Sequence, residues 1–307
     1  MVFADTYPQP NAPDPVLSEA AVVAAAAKHV RGVGRLLEVE ESGGEARAYM
    51  LEGGVVLKTQ RPHRLRPRTS LSKEALFLKE LHRAGDFPIP KVLGYGDLEG
   101  IEYLCLTRMH GVASHHVQLS PEQRSEMLRS LGGLLRSIHD ADQTRLRASK
   151  LIPGDNGPSD LGRRFSDAFG RLAVALDADE IWRGELDIRQ LAEQQIDRLP
   201  RRTTPVALHS NPGPEHVFVD PSTRRFSGLI DFGDAYRSHP ALDLRPWRQA
   251  ADIKHVLAGY RAAGLLPNGF NHVLSTCLIM AELGQVARGR QDSRSAAARI
   301  RELRNYT

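Results

Sequence analysis

An α+β architecture of two unequal parts follows from where strand and helix signals fall along the 307 residues. Upstream of about residue 110 the chain alternates short apolar runs with Gly-bearing turns, the pattern of antiparallel strands. Beyond it, long stretches repeat apolar residues at three- and four-residue spacing, the period of an amphipathic helix. A pair of apolar runs, Val217–Val219 and Gly228–Ile230, interrupts the helical part. It brackets the turn formers of Asp220-Pro221-Ser222-Thr223, which predicts a β-hairpin.

Composition narrows the function classes. With 41% hydrophobic and 25% charged residues, the chain can bury a sizeable core in one or two domains. No run of about 18 apolar residues is present, and the apolar stretch Ala20–Ala27 follows no basic region. Neither a membrane span nor a secretory signal is predicted, and a cytoplasmic protein is expected. The net charge of +4 and pI near 9.2 raise nucleic acid as a partner. However, the 34 Arg and 7 Lys are mostly scattered among acids, with no basic motif interleaved by aromatics, so no nucleic-acid partner is expected. Local basic clusters at residues 61–68 and 288–304 read as solvated surface. Cys105 and Cys277 sit in apolar contexts and read as reduced core thiols. There is no internal repeat, Walker loop, GxSxG elbow or Cys/His zinc spacing.

In chain order, Asp14-Pro15 reads as N-cap and first position of an Ala-rich helix to about Val30. Leu36–Val39, Ala46–Leu51 and Val55–Thr59 form a three-stranded meander, with turns at residues 41–44 and 52–54. Ser42, Gly43 and Gly44 occupy the first turn, where a Gly-bearing loop can lay backbone N–H groups over phosphates; most such loops are ordinary hairpin turns. Lys58 ends the third strand, a compact point charge in a chain that otherwise favours Arg. Ser70–Arg83 has helical apolar spacing with Glu74 early in it, where an acid alone also suits a solvated first turn. Ile89–Gly94 and Ile101–Met109 add two strands, giving a five-stranded antiparallel sheet packed with one helix.

The second part opens on Ser120-Pro121-Glu122-Gln123, a capping box with Pro at the first helical position, followed by apolar residues from Met127 to Ile138. His139 and Asp140 close that helix, where a core or capping histidine is the expected role. Residues 151–160 read as a loop, and Phe165–Leu199 as two or more amphipathic helices. Residues 155–190 hold eight acids against five arginines. Further helices are expected over Pro246–Leu257, Asn271–Val286 and a polar last helix to Asn305.

The chemistry gathers between Pro205 and Leu244. Antiparallel pairing with a turn near Ser222 and Thr223 brings His216 close to Asp231, an imidazole and a carboxylate that could hold a metal. His209-Ser210-Asn211 lies just upstream, with Asn211 five residues before His216, and Asp231-Phe232-Gly233 follows the second strand. H-x-[D/N]-x-x-x-x-[N/H] followed by D-F-G is the spacing of a kinase catalytic loop and its metal-binding loop. On these motifs the chain resembles the aminoglycoside phosphotransferase family, antibiotic kinases built like small protein kinases, from roughly Leu37 to Leu244.

The resemblance implies a bilobal kinase-like fold, with a nucleotide-binding lobe over residues 1–109 and a larger, mainly helical catalytic and substrate-binding lobe over 110–307. It implies an ATP- or GTP-dependent O-phosphotransferase, using Mg²⁺, that modifies a hydroxyl of an antibiotic or related small molecule, in a monomer or homodimer. By position, Ser42, Gly43 and Gly44 would cover the phosphates. Lys58, oriented by Glu74, would contact them, and backbone around Thr107 to Met109 would pair with adenine. His216 and Asp231 would hold metal, although Mg²⁺ prefers oxygen ligands. His209 would brace the catalytic loop, Asp243 would pack behind the loops, and Asp234 would support them or serve the metal region.

Asn211 departs from the family pattern, which has the general base Asp there. An amide cannot accept a proton, and loss of general-base catalysis costs about 10²–10⁴ in rate. A substitution made to trap a complex, a natural enzyme with a weakened loop, and a nucleotide-binding pseudokinase or regulator all fit. A kinase of a primary metabolite such as choline, homoserine or a sugar is a further alternative. The positive net charge shades the acceptor away from polycations, while the mildly acidic stretch at 155–190 pulls the other way.

Overall fold

The computed structural model describes residues 11–41, 44–64, 69–155 and 157–304. Helix α1 (Glu19–Ala27) precedes strands β1 (Leu36–Glu40), β2 (Ala46–Leu51) and β3 (Val55–Gln60). Helix α2 (Leu71–Ala84), β4 (Val92–Leu98) and β5 (Ile101–Thr107) complete the first lobe. The five strands form one antiparallel sheet in the order β1-β2-β3-β5-β4. Both faces of its centre are covered. Val55 and Leu57 of β3, with Tyr49, Tyr103 and Cys105, pack with Val22, Ala25 and Ala26 of α1. Val56, pointing the other way on the alternating strand, packs with Leu104, Leu106 and the apolar face of α2.

Two local expectations for this lobe change. Helix α1 starts at Glu19 with Ser18 as its cap, accepting from the Ala21 N–H. Asp14 instead binds Arg47 and Arg61, with Nη2–Oδ2 distances of 3.2 and 3.0 Å. A carboxylate that can pair with two guanidinium groups gains more there than from one backbone N–H. Arg61, expected on the solvated surface, is correspondingly buried. The fourth strand begins at Val92, two residues past Pro90, which has no N–H for a ladder.

The second lobe begins with β6 (Val112–Ala113), α3 (Pro121–Asp140), α4 (Thr144–Ala148), α5 (Pro158–Ala175) and α6 (Ile188–Asp197). The Ser120 capping box forms as its sequence predicts. Short strands β7 (Val206–Leu208), β8 (Val217–Val219), β9 (Phe226–Leu229) and β10 (Tyr236–Ser238) carry the central loops. Helices α7 (Ala250–Arg261), α8 (Phe270–Ala287) and α9 (Ser293–Arg304) end the described chain. α3 and α7 pack closely because each offers a glycine at the crossing. A Cβ on Gly132 would lie 2.0 Å from the Val256 carbonyl oxygen, and one on Gly259 2.0 Å from that of Arg129.

The expected hairpin forms, with β9 paired to β8 in the register Val217↔Leu229 and Phe218↔Gly228. Ile230 falls just outside the strand, its N–H donating to the His216 carbonyl at 3.0 Å. Cys105 and Cys277 are both free and buried. Among the described residues, no helix is long and apolar enough to cross a membrane.

Candidate active site

The alternation of β3 turns Lys58 into the cleft between the lobes, where two carboxylates meet it. Nζ lies 2.7 Å from Oε2 of Glu74 on α2 and 2.9 Å from Oδ1 of Asp231. Glu74 is only 1% exposed, so it is not a solvated first-turn acid. Burial opposes the charge on Lys58, but Asp231 and Glu74 outweigh it and hold the ammonium protonated well above its ordinary range. Burial pushes Glu74 up despite Lys58. Asp231 is held well below the usual carboxylate range: the surrounding protein works against ionisation, and Lys58 and His216 overcome it. The backbone of Asp231 is left-handed, with φ of +70°. This strain for a non-Gly residue aims its side chain at Lys58.

The loop after β7 presents Asn211. His209 is fully buried; its Nε2 donates to the Ile230 carbonyl at 2.8 Å, and its Nδ1 accepts from the Asn211 N–H at 3.2 Å. Both bonds need the neutral ring. Burial, then the neighbouring His216, lowers its pKa to about 4. Asp243 holds the same loop from behind, accepting from the N–H groups of His209 at 2.9 Å and Ser210 at 2.7 Å. Ser210 has a φ of +85°, and the two residues after Asn211 are buried while Asn211 itself is exposed. The loop thus holds the Asn211 side chain out from a fixed backbone.

His216 closes the group. Its Nδ1 is 2.7 Å from the Asn211 carbonyl, which can only accept, so Nδ1 carries the proton. Its Nε2 faces Asp231 Oδ2 at 3.2 Å, so the two side chains present one nitrogen and one carboxylate to the same point, where they could hold a cation with phosphate and water as its further ligands. Among the described residues no cluster of three or more His, Cys, Asp or Glu side chains could hold a metal alone.

The hinge backbone is partly engaged within the first lobe. The Thr107 N–H donates to the Lys91 carbonyl at 2.9 Å and the Arg108 N–H to that of Gly54 at 2.7 Å. Both donors are committed to the sheet, so Thr107 is not available as an N–H partner for adenine. Met109 lies beyond them. Its Cε occupies space that Gly228 leaves open, since a Cβ there would be 2.2 Å away. Ser42 and Gly43 lie outside the described residues, whereas Gly44 is at the loop's end with open space around its Cα.

A model of the phosphotransferase enzyme family matches residues 37–264. The chain belongs to that family. As a phosphotransferase it acts on an alcohol group. It is 29% identical over 210 residues to an aminoglycoside 3'-phosphotransferase of Streptomyces fradiae, spanning 64% of this chain and 72% of that one. Its fold is similar to a macrolide 2'-phosphotransferase of Brachybacterium faecium, with a TM-score of 0.61 at 18% identity over 92% of this chain and 97% of the other. An aminoglycoside 2'-phosphotransferase-IIIa in complex with GDP gives 0.60 at 15% identity over 94% and 98%.

Several residues that shape this candidate site carry no local signal. Thr69 donates to Glu45 at 3.2 Å, at the base of the Gly-bearing loop, and also contacts the Asp234 carboxylate. Arg245 donates to the Ser210 carbonyl at 3.1 Å and Trp247 to that of Pro212 at 2.8 Å. Each partner lies at least 24 residues away in sequence, beyond the reach of periodicity or motif spacing.

Proposed function

We propose that this phosphotransferase moves the γ-phosphoryl group of ATP or GTP to a hydroxyl of an antibiotic or related small molecule, in the cytoplasm. The strand-rich residues 1–109 take the nucleotide and residues 110–307 the acceptor. One observation carries the reading: the Lys58 ammonium is fixed between Glu74 and Asp231, and Asp231 in turn meets His216, whose Nδ1 binds the Asn211 carbonyl. The family's relatives, by name, act on aminoglycosides and macrolides.

Lys58 neutralises the phosphates of the donor and keeps them in register, while Gly44 and its loop neighbours cover them with backbone N–H groups. Met109 borders the base. Asp231 and His216 would hold Mg²⁺, which would supply neutralisation of phosphate charge. His209 and Asp243 fix the loop so that the Asn211 side-chain oxygen accepts from the acceptor hydroxyl and aims it in line. The new oxygen–phosphorus bond forms as the bond to the leaving β-phosphate oxygen breaks. The hydroxyl proton passes to a phosphoryl oxygen or to water, since the amide cannot take it. A loose transition state makes this route usable but slow.

Asn211→Asp supplies the missing base and is expected to raise turnover by about 10²–10⁴, read as ADP release over a panel of hydroxylated antibiotics with Mg²⁺. Asn211 also favours a second reading, a nucleotide-binding regulator without turnover. Intact nucleotide binding with continued silence of Asn211→Asp would select it. A thermal shift that responds to no nucleotide would rule out both.

A further inference from the structure

Thr69, half-buried just before the cap of α2, touches three parts of the candidate site. Its hydroxyl lies 3.2 Å from Glu45 Oε1 and within hydrogen-bond reach of Asp234 Oδ1. Glu45 ends the Gly-bearing turn immediately before β2, whereas Asp234 follows Asp231-Phe232-Gly233 beyond β9. The main chain repeats the second link, since the Ser70 N–H donates to the Gly233 carbonyl at 3.4 Å. The Ser70 hydroxyl meanwhile accepts from the Lys73 N–H at 3.0 Å and starts α2. Glu74, the partner of Lys58, stands in the first turn of that helix. Thr69 also lies beside Asp231: the point a Cβ on Gly233 would occupy is 3.3 Å from Thr69 Cγ2 and 3.8 Å from Asp231 Oδ1.

A threonine hydroxyl has one hydrogen to give. Donation to Asp234 and donation to Glu45 therefore compete, and the position of the Asp231–Asp234 loop decides how firmly the base of the Gly-bearing turn is held. The side chain is short and, being β-branched, stiff at χ1. A displacement of one acid is passed to the other and is not absorbed by rotamer changes.

We propose that Thr69 is a positioning residue that couples cation binding at Asp231 and His216 to the grip of the Gly-bearing turn on the nucleotide phosphates. The inference rests on the phosphotransferase reading above.

Titration calorimetry of ADP and of GDP into the full chain, with Mg²⁺ and with EDTA in its place, tests it on whichever nucleotide binds. In the native chain Mg²⁺ is expected to tighten the nucleotide about tenfold or more. Thr69→Val keeps the branched shape and removes the hydroxyl. It should weaken the nucleotide about tenfold in Mg²⁺ and less than about twofold in EDTA. Thr69→Ser restores the hydroxyl and should restore the native response to Mg²⁺. Glu45→Ala cuts the link at its other end, should lose the same response, and keeps the test valid if Thr69→Val does not fold. A native affinity indifferent to Mg²⁺, a full Mg²⁺ response in Thr69→Val or Glu45→Ala, equal weakening in Mg²⁺ and EDTA, or no rescue by Thr69→Ser overturns the inference and leaves the phosphotransferase reading standing. Binding of neither nucleotide to the native chain overturns that reading, and this inference with it.

Discussion

His139 Nε2 lies 3.0 Å from Asp243 Oδ2, and both side chains are buried. The same carboxylate accepts from the N–H groups of His209 and Ser210. A histidine at the end of α3 is thereby linked through one acid to the backbone that carries Asn211. Burial works against ionisation of Asp243, yet the bond to His139 and the N–H group of Ser210 hold its pKa down. Asp243→Asn would turn an amide N–H₂ towards groups that can only donate. A loss of about 3–5 kcal/mol is expected, seen as a lower urea midpoint. An unchanged midpoint would show that the acid is dispensable.

Lys58→Met removes the ammonium that Glu74 and Asp231 share and leaves Glu74 buried without its partner. Turnover of the Asn211→Asp enzyme should fall by about 10²-fold or more. Lys58→Arg should not rescue it, since a planar fork cannot occupy a site built round a point charge. Nucleotide kcat and KM for the three proteins give the answer, and full activity of the Arg variant would contradict the geometry.

Gly228→Ala would set a methyl group 2.2 Å from Met109 Cε and 2.6 Å from the Pro88 carbonyl oxygen. The methionine can swing away; the backbone oxygen cannot. A destabilisation of about 1–3 kcal/mol is expected, together with a raised KM for nucleotide as the hinge shifts. Thermal unfolding with and without ATP separates the two effects.

Acid should unfold the protein in part through His239. Burial lowers its pKa to about 4; its Nδ1 accepts from the Ala241 N–H and its Nε2 donates to the Asn268 carbonyl. Because the folded pKa lies below the unfolded value near 6.5, this contribution is complete above pH 6.5 and is lost as pH falls from there towards 4. The single residue accounts for about 3 kcal/mol across that window. His239→Asn keeps an acceptor for Ala241 and removes the titration. Denaturation midpoints at pH 7.5 and 4.5 should therefore differ less in the variant, and equal losses in both proteins would assign the acid sensitivity elsewhere.

The sequence by itself determined the order of the parts. Strand alternation placed Lys58, helical spacing placed Glu74, and the intervals between His209, Asn211, His216 and Asp231 matched the loop spacing of a kinase. These are short-range properties, because the periods of strand and helix and the closure of a hairpin depend on residues a few positions apart. The capping box at Ser120 formed for the same reason.

Only the tertiary structure decided which partner each polar group takes. Asp14 has the sequence of a helix cap, yet Arg47 and Arg61 claim it from across the sheet. The hinge N–H of Arg108 goes to Gly54, and Arg245 reaches back 35 residues to Ser210. A charged or hydrogen-bonding group binds whichever complementary group lies within about 3 Å once burial has removed water. That distance is fixed by how the lobes and helices pack, which no local period in the chain encodes.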